Sequence, residues 1–372
     1  MSKFSKNTNN ITLAPISDVK PGEVIVSVKD LEVQFSVRNN ILTAIRKISL
    51  DIYKGETIAI VGESGSGKSV FTKCLVGMLE ENGHISNGSI SYSGVDLAKF
   101  ETNDEWSLIR GKRISTIFQD PMTSLNPLRR IGSQIAEVIR LHRGFSKEEA
   151  KAEAIKLLKR VGILDAEKRY NDYPFQYSGG MRQRVVIAIA LACNPDILIC
   201  DEPTTALDVT IQAQILALIE ELKKEYGFTV IFITHDLGVV AEIADRVAVM
   251  YAGQIIEYGT ANDIFYDPRH PYTWALLSSL PQLGEKGENL YSITGTPPSL
   301  FNKIVGDAFA PRNPYAMEID FVKEPPMFKV SDTHYAKTWL LDKRAPKIER
   351  PAIIGEITER VQKIYNGGES NE

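Results

Sequence analysis

The apolar residues of this 372-residue chain follow two spacings, and each spacing predicts a different element. Alternating apolar residues predict two short strands between Val24 and Phe35 and another strand over 42–52. A hairpin is predicted from Val247 to Tyr258, with its turn at Ala252-Gly253. Short apolar runs predict further strands at 58–61, 88–92, 114–118, 197–201 and 229–234.

Helical spacing marks the segments between these strands. A helix is predicted from Lys68 to about residue 79, and an apolar helix over 185–192. Between about 127 and 178, Ser146 and Glu149 form a capping box and apolar residues recur at helical spacing, which predicts a helical insertion. A later helix ends at Gly227, and its apolar face comprises Ile211, Ile215, Leu218, Ile219 and Leu222. Strands that alternate with helices predict an α/β fold.

The two ends of the chain differ from its middle. Residues 1–22 are polar and predict a flexible tail, whereas 23–262 carry the α/β pattern. Beyond residue 262 prolines are frequent and long periodic runs are few, so 263–345 are expected to form a small, loop-rich appendage. A charged tail is expected over 346–372.

Composition narrows the class of protein. The 43 basic and 47 acidic residues give a net charge of -4, which argues against a nucleic-acid binder. The longest apolar run, 185–193, falls well short of the roughly 20 residues that span a bilayer. The first twenty residues have no signal-peptide core, so a cytoplasmic location is expected. Cys74, Cys193 and Cys200 lack paired spacing and are expected to be small buried hydrophobes.

The segment 62–69 fits the phosphate-loop pattern of a glycine, four residues and then Gly-Lys-Ser. Its glycines allow backbone N–H groups to surround phosphate oxygens, Lys68 adds a positive charge, and Ser69 offers a hydroxyl to Mg²⁺. The alternative is a glycine-rich turn without a ligand. The predicted nucleotide-binding residues here are Gly62, Ser64, Gly65, Ser66, Gly67, Lys68 and Ser69.

Polar residues follow three of the predicted strands. Asp201 and Glu202 end an apolar strand, where adjacent carboxylates suit a cation and an oriented water. Gln119 follows another strand and is either a turn residue or a ligand of metal or water. His235 follows a third strand, and ligands of open α/β sheets bind beyond such ends. Phe35 is either an aromatic platform or a core residue, and its spacing favours the core.

The motifs, in order, resemble the nucleotide-binding subunit of ATP-binding cassette (ABC) proteins over roughly residues 24–262. They are the phosphate loop, Gln119, the segment 178–183, Asp201-Glu202, Ala206-Leu207-Asp208 and His235. Farther on, His270-Pro271-Tyr272, Leu276-Leu277 and 295–298 resemble the C-terminal region of oligopeptide and dipeptide permease ATPases.

This resemblance implies roles for single residues. Lys68 and Ser69 would hold the β- and γ-phosphates and Mg²⁺, with Gln119 and Asp201 as further metal ligands. Glu202 would be the general base, and His235 would contact the γ-phosphate. Phe35 matches the aromatic residue that stacks on adenine, which reverses the preference from spacing alone. Ser178, Gly179, Gly180 and Asp208 would contact ATP held by a second subunit, so a complete site needs two chains.

Two departures from the family pattern stand out. Tyr177 and Met181 replace the usual Leu and Gln beside Ser178-Gly179-Gly180, and neither change removes a phosphate-contacting group. Many peptide-permease ATPases carry cysteines for an iron–sulfur cluster in the appendage. The corresponding positions here are Asp307, Asn313, Asp320 and Thr338. Without thiolates no iron–sulfur cluster is expected.

The resemblance implies an ATPase motor subunit of an oligopeptide importer, bound to ATP and Mg²⁺ at the cytoplasmic face of the membrane. Its expected partners are a homologous second ATPase, two membrane permease subunits and, indirectly, an extracellular peptide-binding protein, with no nucleic acid. A nickel or antimicrobial-peptide importer is the alternative within transport. A DNA-repair ATPase is disfavoured because only about a hundred residues separate Ser69 from Ser178.

Overall fold

The computed structural model describes residues 11–118, 124–205, 207–279, 293–351 and 354–355. Within these ranges the chain forms two β-sheets with helices packed around them, as the α/β prediction requires. The helices are Lys68–Leu75, Asn103–Ser107, Ile131–Arg143, Lys147–Arg160, Ala166–Arg169, Gly179–Leu191, Val209–Tyr226, Leu237–Ile243, Ala261–Tyr266, Pro271–Ser278 and Glu318–Val322.

The smaller sheet is antiparallel and has the strand order β2-β1-β4-β5. Its strands are β1 (Val24–Val37), β2 (Asn40–Tyr53), β4 (Gly83–Tyr92) and β5 (Val95–Asp96). The prediction of two short strands between Val24 and Phe35 is wrong, because β1 is one strand of 14 residues. A register shift between Val28 and Leu31 keeps both side chains buried although they are three positions apart. Asp30, with a φ of 47°, lies within this bulge.

The larger sheet has eight strands among the described residues, of which β10 is Gln254–Thr260, β11 is Phe328–Lys329 and β12 is Tyr335–Ala336. The strand order is β11-β12-β10-β9-β3-β8-β7-β6. Its parallel part comprises β3 (Thr57–Val61), β6 (Ile114–Ile117), β7 (Ile197–Asp201), β8 (Thr229–Ile233) and β9 (Arg246–Tyr251). Strands β3 and β8 are buried at every position, as expected for strands whose two faces are both covered. The predicted hairpin is confirmed, since β10 (Gln254–Thr260) runs antiparallel to β9.

The helix after the phosphate loop is shorter than predicted. It ends at Leu75, and Gly77 follows with a φ of 60°. A Cβ on Gly77 would lie 2.1 Å from the Trp106 ring, so the close approach of that ring requires glycine here. The chain therefore turns away at Gly77 and does not continue the helix to residue 79.

The predicted helical insertion is present. The helices Ile131–Arg143 and Lys147–Arg160 pack together, and the second begins at the predicted capping box of Ser146 and Glu149. Their apolar faces share one cluster with the helix Gly179–Leu191. The insertion is thus joined to the large sheet through the helix that follows Ser178.

The C-terminal segment extends the larger sheet. Strands β11 (Phe328–Lys329) and β12 (Tyr335–Ala336) add to it, and β12 pairs with β10. The rings of Tyr272 and Phe309 pack on Tyr251 of β9 and share one apolar cluster with Val61 of β3. The C-terminal segment therefore packs beside β9, the neighbour of the strand that leads into the phosphate loop.

The prediction that the three cysteines are buried is confirmed at two of them. Cys74 and Cys200 are buried, and burial raises the pKa of both thiols. Cys193 is only half-buried. Across the described ranges, no helix combines the length and apolar character needed to cross a membrane.

Candidate active site

The candidate site lies where three neighbouring parallel strands end. Strand β8 lies between β3 and β7 in the larger sheet. The phosphate loop follows β3, Asp201 is the last residue of β7, and His235 comes two residues after β8. The three polar features that follow separate strands in the sequence thus come together at one edge of the sheet.

The backbone of the phosphate loop requires glycine at two close approaches. Gly62 has a φ of 149°, and a Cβ there would lie 2.2 Å from the carbonyl oxygen of Met250. Gly67 has a φ of 105°, and its Cβ would lie 2.9 Å from Ile45 Cδ1. Ser66 is buried between them, and its Oγ has no hydrogen-bond partner among the described residues. An unpartnered buried hydroxyl in a glycine-rich loop suits a polar ligand.

Lys68 lies folded over its own loop. Its ammonium group donates to the carbonyl oxygens of Gly62, at 2.7 Å, and Glu63, at 3.0 Å. Burial lowers the pKa of Lys68, while Glu202, Asp201 and Glu63 oppose that effect. The nearby carboxylates thus favour the charged ammonium, which is the form that can bind phosphate.

Ser69 and Asp201 form a pair of oxygen donors. The Ser69 hydroxyl donates to Asp201 Oδ1 at 3.2 Å. Burial is the main cause that raises the pKa of Asp201, and the neighbouring Glu202 adds to it. Hydroxyl and carboxylate oxygens are hard ligands, so this donor set fits Mg²⁺, and the cation would favour the ionised carboxylate.

Glu202 has a strained backbone and a fixed side chain. Its φ is 48°, and its N–H donates to the carbonyl oxygen of Ile233 at 3.0 Å. The Thr205 hydroxyl donates to Glu202 Oε2 at 3.1 Å, and His235 Nδ1 lies 3.3 Å from Oε1. The side chain of His235 is 61% exposed, so the imidazole lies at the open side of the carboxylate. Strain of this kind is common where a catalytic group must be aimed.

The structure brings Ser178, Gly180 and Asp208 together. Ser178 caps the helix Gly179–Leu191, and Asp208 caps the helix Val209–Tyr226 by accepting from the Ile211 N–H at 2.9 Å. A Cβ on Gly180 would lie 2.7 Å from Ile211 Cγ2, so the two helix starts are in close contact. The capping hydrogen bonds of both residues are local and do not reach the phosphate loop.

Two predicted site residues need separate mention. Phe35 is 7% exposed, and its ring packs on Gly83, which agrees with the core interpretation from spacing. Its predicted contact with adenine stays a prediction. Gln119 lies outside the described residues, as does Ala206.

Sequence reasoning missed the contacts of Glu63. The C-terminal residue Arg312 pairs with the Glu63 carboxylate, and the Tyr272 hydroxyl accepts from the Glu63 N–H. The sequence identifies the motif His270-Pro271-Tyr272 by resemblance alone and does not predict that Tyr272 contacts the phosphate loop. Nothing in the spacing of Arg312 indicates a partner 249 positions away.

The four residues at the expected cysteine positions are buried and hydrogen-bonded. Each side chain accepts from a backbone N–H two or three positions away. The pairs are Asp307 with Phe309, Asn313 with Tyr315, Asp320 with Met317 and Thr338 with Leu340. Within the described ranges, no group of three or more His, Cys, Asp or Glu residues is placed to hold a metal ion.

Two family models match the sequence. The model described as ABC transporter matches residues 45–205, and the model described as oligopeptide/dipeptide transporter, C-terminal region, matches residues 256–319. The first match contains the phosphate loop and Asp201-Glu202. The second contains Tyr272 and Arg312.

Named relatives match along most of the chain. The oligopeptide transport ATP-binding protein AmiE of Streptococcus pneumoniae is 62% identical over 343 residues, which cover 92% of this chain and 97% of the relative. The oligopeptide transport ATP-binding protein OppD of Bacillus subtilis is 57% identical and covers 89% of this chain and 92% of its own length. A solved dimer of the ATP-binding cassette MJ0796, bound to ADP and Pi, is 30% identical with a TM-score of 0.57. It covers 63% of this chain and 98% of its own.

Proposed function

This chain belongs to the ATP-binding subunits of oligopeptide and dipeptide ABC transporters, and we propose a role in ATP binding or hydrolysis for each residue of the site. The protein hydrolyses ATP to ADP and phosphate and is the motor subunit of an oligopeptide importer. The observation that carries the site assignment is the convergence of Lys68, Ser69, Asp201, Glu202 and His235 beyond β3, β7 and β8.

Binding of MgATP is assigned to the phosphate loop. Lys68 neutralises the β- and γ-phosphates, and the loop N–H groups and the Ser66 hydroxyl donate to phosphate oxygens. Ser69, Asp201 and Gln119 would hold Mg²⁺, which would supply positive charge to the phosphates. The 3.2 Å contact between Ser69 and Asp201 supports the first two ligands.

Hydrolysis is assigned to Glu202 and His235. Glu202 orients the attacking water and accepts its proton, and its carboxylate is already fixed by Thr205. His235 lies at the open side of that carboxylate, where it can donate to the γ-phosphate. Glu202 has a strained backbone, as is common where a catalytic group must be aimed, and its carboxylate acts electrostatically on Lys68 of the loop.

The site is completed by a second ATPase subunit. Ser178, Gly179, Gly180 and Asp208 contact the ATP held by that partner, whose equivalent residues close this chain's site. The location of Ser178 and Asp208 at adjacent helix N-termini supports this, because helix N-termini attract anions. We propose a homologous partner, and so a heterodimer.

Membrane partners are assigned to a groove beside the helical insertion. A cavity of about 460 Å³ adjoins residue 118, and its apolar lining includes Val76, Met78, Phe118, Val138, Val186 and Ile189. We propose that cytoplasmic helices of two permease subunits dock here, so that the protein lies peripherally at the cytoplasmic face of the membrane. The extracellular peptide-binding protein is reached only through the permease.

Glu202→Gln is the direct test, measured on the protein purified together with its membrane partners. We expect ATP hydrolysis to fall by about 100-fold or more because the general base is lost. ATP affinity should stay within about twofold, since no phosphate contact is removed. The control is Glu242→Gln, an exposed acid on the helix Leu237–Ile243, which should hydrolyse ATP at the wild-type rate. Near wild-type turnover in Glu202→Gln would reject the role of Glu202.

A further inference from the structure

Glu63, the second residue of the phosphate loop, is held by the C-terminal segment at both its side chain and its backbone. The guanidinium of Arg312 donates to the two carboxylate oxygens of Glu63, at 2.7 and 3.0 Å. The Tyr272 hydroxyl accepts from the Glu63 N–H at 2.9 Å. A loop residue that precedes Lys68 by five positions is therefore fixed by groups more than 200 positions away.

The Arg312 side chain is also held by contacts other than Glu63. Its side chain is 4% exposed and extends from the turn Ala310–Arg312. Its other hydrogen bonds go to the carbonyl oxygens of Thr294 and Ile293 and to the Tyr251 hydroxyl. A guanidinium held on several sides presents its two-pronged face in one orientation, which a flexible lysine could not do.

The contact continues to the phosphate-binding lysine. The Glu63 carbonyl oxygen accepts from Lys68 Nζ at 3.0 Å, beside the shorter bond to Gly62. Arg312 and Tyr272 thus touch Glu63, and Glu63 touches the ammonium group. In these hydrogen bonds, Arg312 and Tyr272 reach Lys68 only through Glu63.

We propose that Arg312 and Tyr272 are positioning residues that preset the phosphate loop for ATP by fixing Glu63. The inference rests on the proposed ATP site at this loop. Because the side chain and the N–H of Glu63 are both fixed, its carbonyl holds the Lys68 ammonium where the β- and γ-phosphates bind. The loop therefore loses less conformational entropy when ATP binds. By reciprocity, bound nucleotide stabilises the C-terminal segment by the same factor.

The competing explanation is that the Arg312–Glu63 pair only attaches the C-terminal segment. In that case its loss would lower stability and leave nucleotide affinity unchanged. A double-mutant cycle measured on nucleotide affinity separates the two explanations, because positioning predicts a non-additive loss of affinity and simple attachment predicts no loss.

The test uses the full chain with Mg²⁺ and the non-hydrolysable ATP analogue AMP-PNP, titrated by calorimetry. We expect Arg312→Gln and Glu63→Gln each to weaken binding by about tenfold, and the double variant to be no weaker than either single one. Tyr272→Phe removes only the hydroxyl that accepts from the Glu63 N–H and should weaken AMP-PNP binding by about threefold. It serves as the second variant should Arg312→Gln fail to fold.

The matched control is Lys337→Gln. Lys337 is another largely buried cation of the C-terminal segment, paired with the Glu324 carboxylate away from the loop. Its loss should leave AMP-PNP affinity at the wild-type value. Equal weakening in Lys337→Gln, or wild-type affinity in Arg312→Gln and Tyr272→Phe, would overturn the proposal.

Hydrogen exchange gives a readout that simple attachment would not change. AMP-PNP should slow amide exchange across residues 307–315 in the wild type and in Lys337→Gln, and not in Arg312→Gln. Loss of this protection in both variants, or its persistence in Arg312→Gln, contradicts the coupling. A wild-type chain that does not bind AMP-PNP at all would reject the proposed ATP site as well, which separates that failure from failure of the positioning role alone.

Discussion

Asp307 is a buried carboxyl group with one of its two oxygens satisfied. Oδ1 accepts from the Phe309 N–H at 3.0 Å, whereas Oδ2 has no hydrogen-bond partner among the described residues. Burial is the main cause that raises the pKa of Asp307 to about 6, and the nearby Asp320 adds to it. The group is therefore a proton-binding site in the folded state that the unfolded chain lacks at the same pH.

Because the folded pKa lies above the unfolded one, Asp307 stabilises the fold while protonated and loses that contribution as the pH rises from about 4 to 6. The shift corresponds to about 3 kcal/mol of unfolding free energy across this window. We expect Asp307→Asn to become more stable relative to wild type by up to this amount between pH 4 and 7. Urea unfolding at several pH values measures it. Asp332→Asn, at an exposed carboxylate, should show no such gain, and parallel pH curves for Asp307→Asn and wild type would refute the expectation.

Candidate residues for the site could be proposed from the sequence where a short run carries a recognisable pattern. The phosphate loop and Asp201-Glu202 are such runs, and each follows one strand. Glu63 was not predicted, since its contacts with Arg312 and Tyr272 join residues more than 200 positions apart. Long-range pairs of this kind leave no periodic signal.

At the scale of elements, the apolar pattern predicted the parallel strands well because those strands are buried on both faces. It failed in β1, where the bulge at Asp30 interrupts the alternation and one strand resembled two. It also overextended the helix Lys68–Leu75, because apolar residues continue past Leu75 although the backbone turns at Gly77, whose φ is 60°. The sequence thus predicts an element best where the apolar pattern and the element end at the same residue.

The C-terminal element is expected to fold without iron. Asp307, Asn313, Asp320 and Thr338 each accept a local backbone N–H, so these positions are already used in turns and offer no thiolate. Protein from iron-replete cells should contain neither stoichiometric iron nor acid-labile sulfide, and a chelator should leave its melting temperature unchanged. Stoichiometric iron together with sulfide would contradict the expectation.

At the scale of the whole molecule, the proposed function divides each ATP site between two subunits. Under this proposal the phosphate loop and Glu202 make one half, and Ser178 with Asp208 makes the other. The capping bonds of the second half do not reach the first, which agrees with a site completed by another subunit.

Affinity purification from solubilised membranes checks this arrangement. We expect peptide-permease subunits and a second, homologous ATPase to copurify with the chain. Gly180→Arg should reduce recovery of the second ATPase in the presence of ATP, because a large side chain would strike Ile211 and enter the subunit contact. Lys303→Arg, a conservative change away from Gly180, is the control. Recovery of the chain as a monomer alone would contradict the importer model.

Strand β12 also determines where the chain can be shortened. It covers β10 at Glu257 and Tyr258, and Glu257 is completely buried. Among the described residues, the Glu257 carboxylate has hydrogen-bond partners beyond residue 262, namely the N–H groups of Arg269 and His270 and the ring of His334. A chain cut at 262 would expose the edge of the sheet at β10 and leave the Glu257 carboxylate without these hydrogen-bond donors. We expect such a chain to self-associate through that edge. Protein engineers who want the minimal ATPase should therefore keep the sequence at least through residue 336.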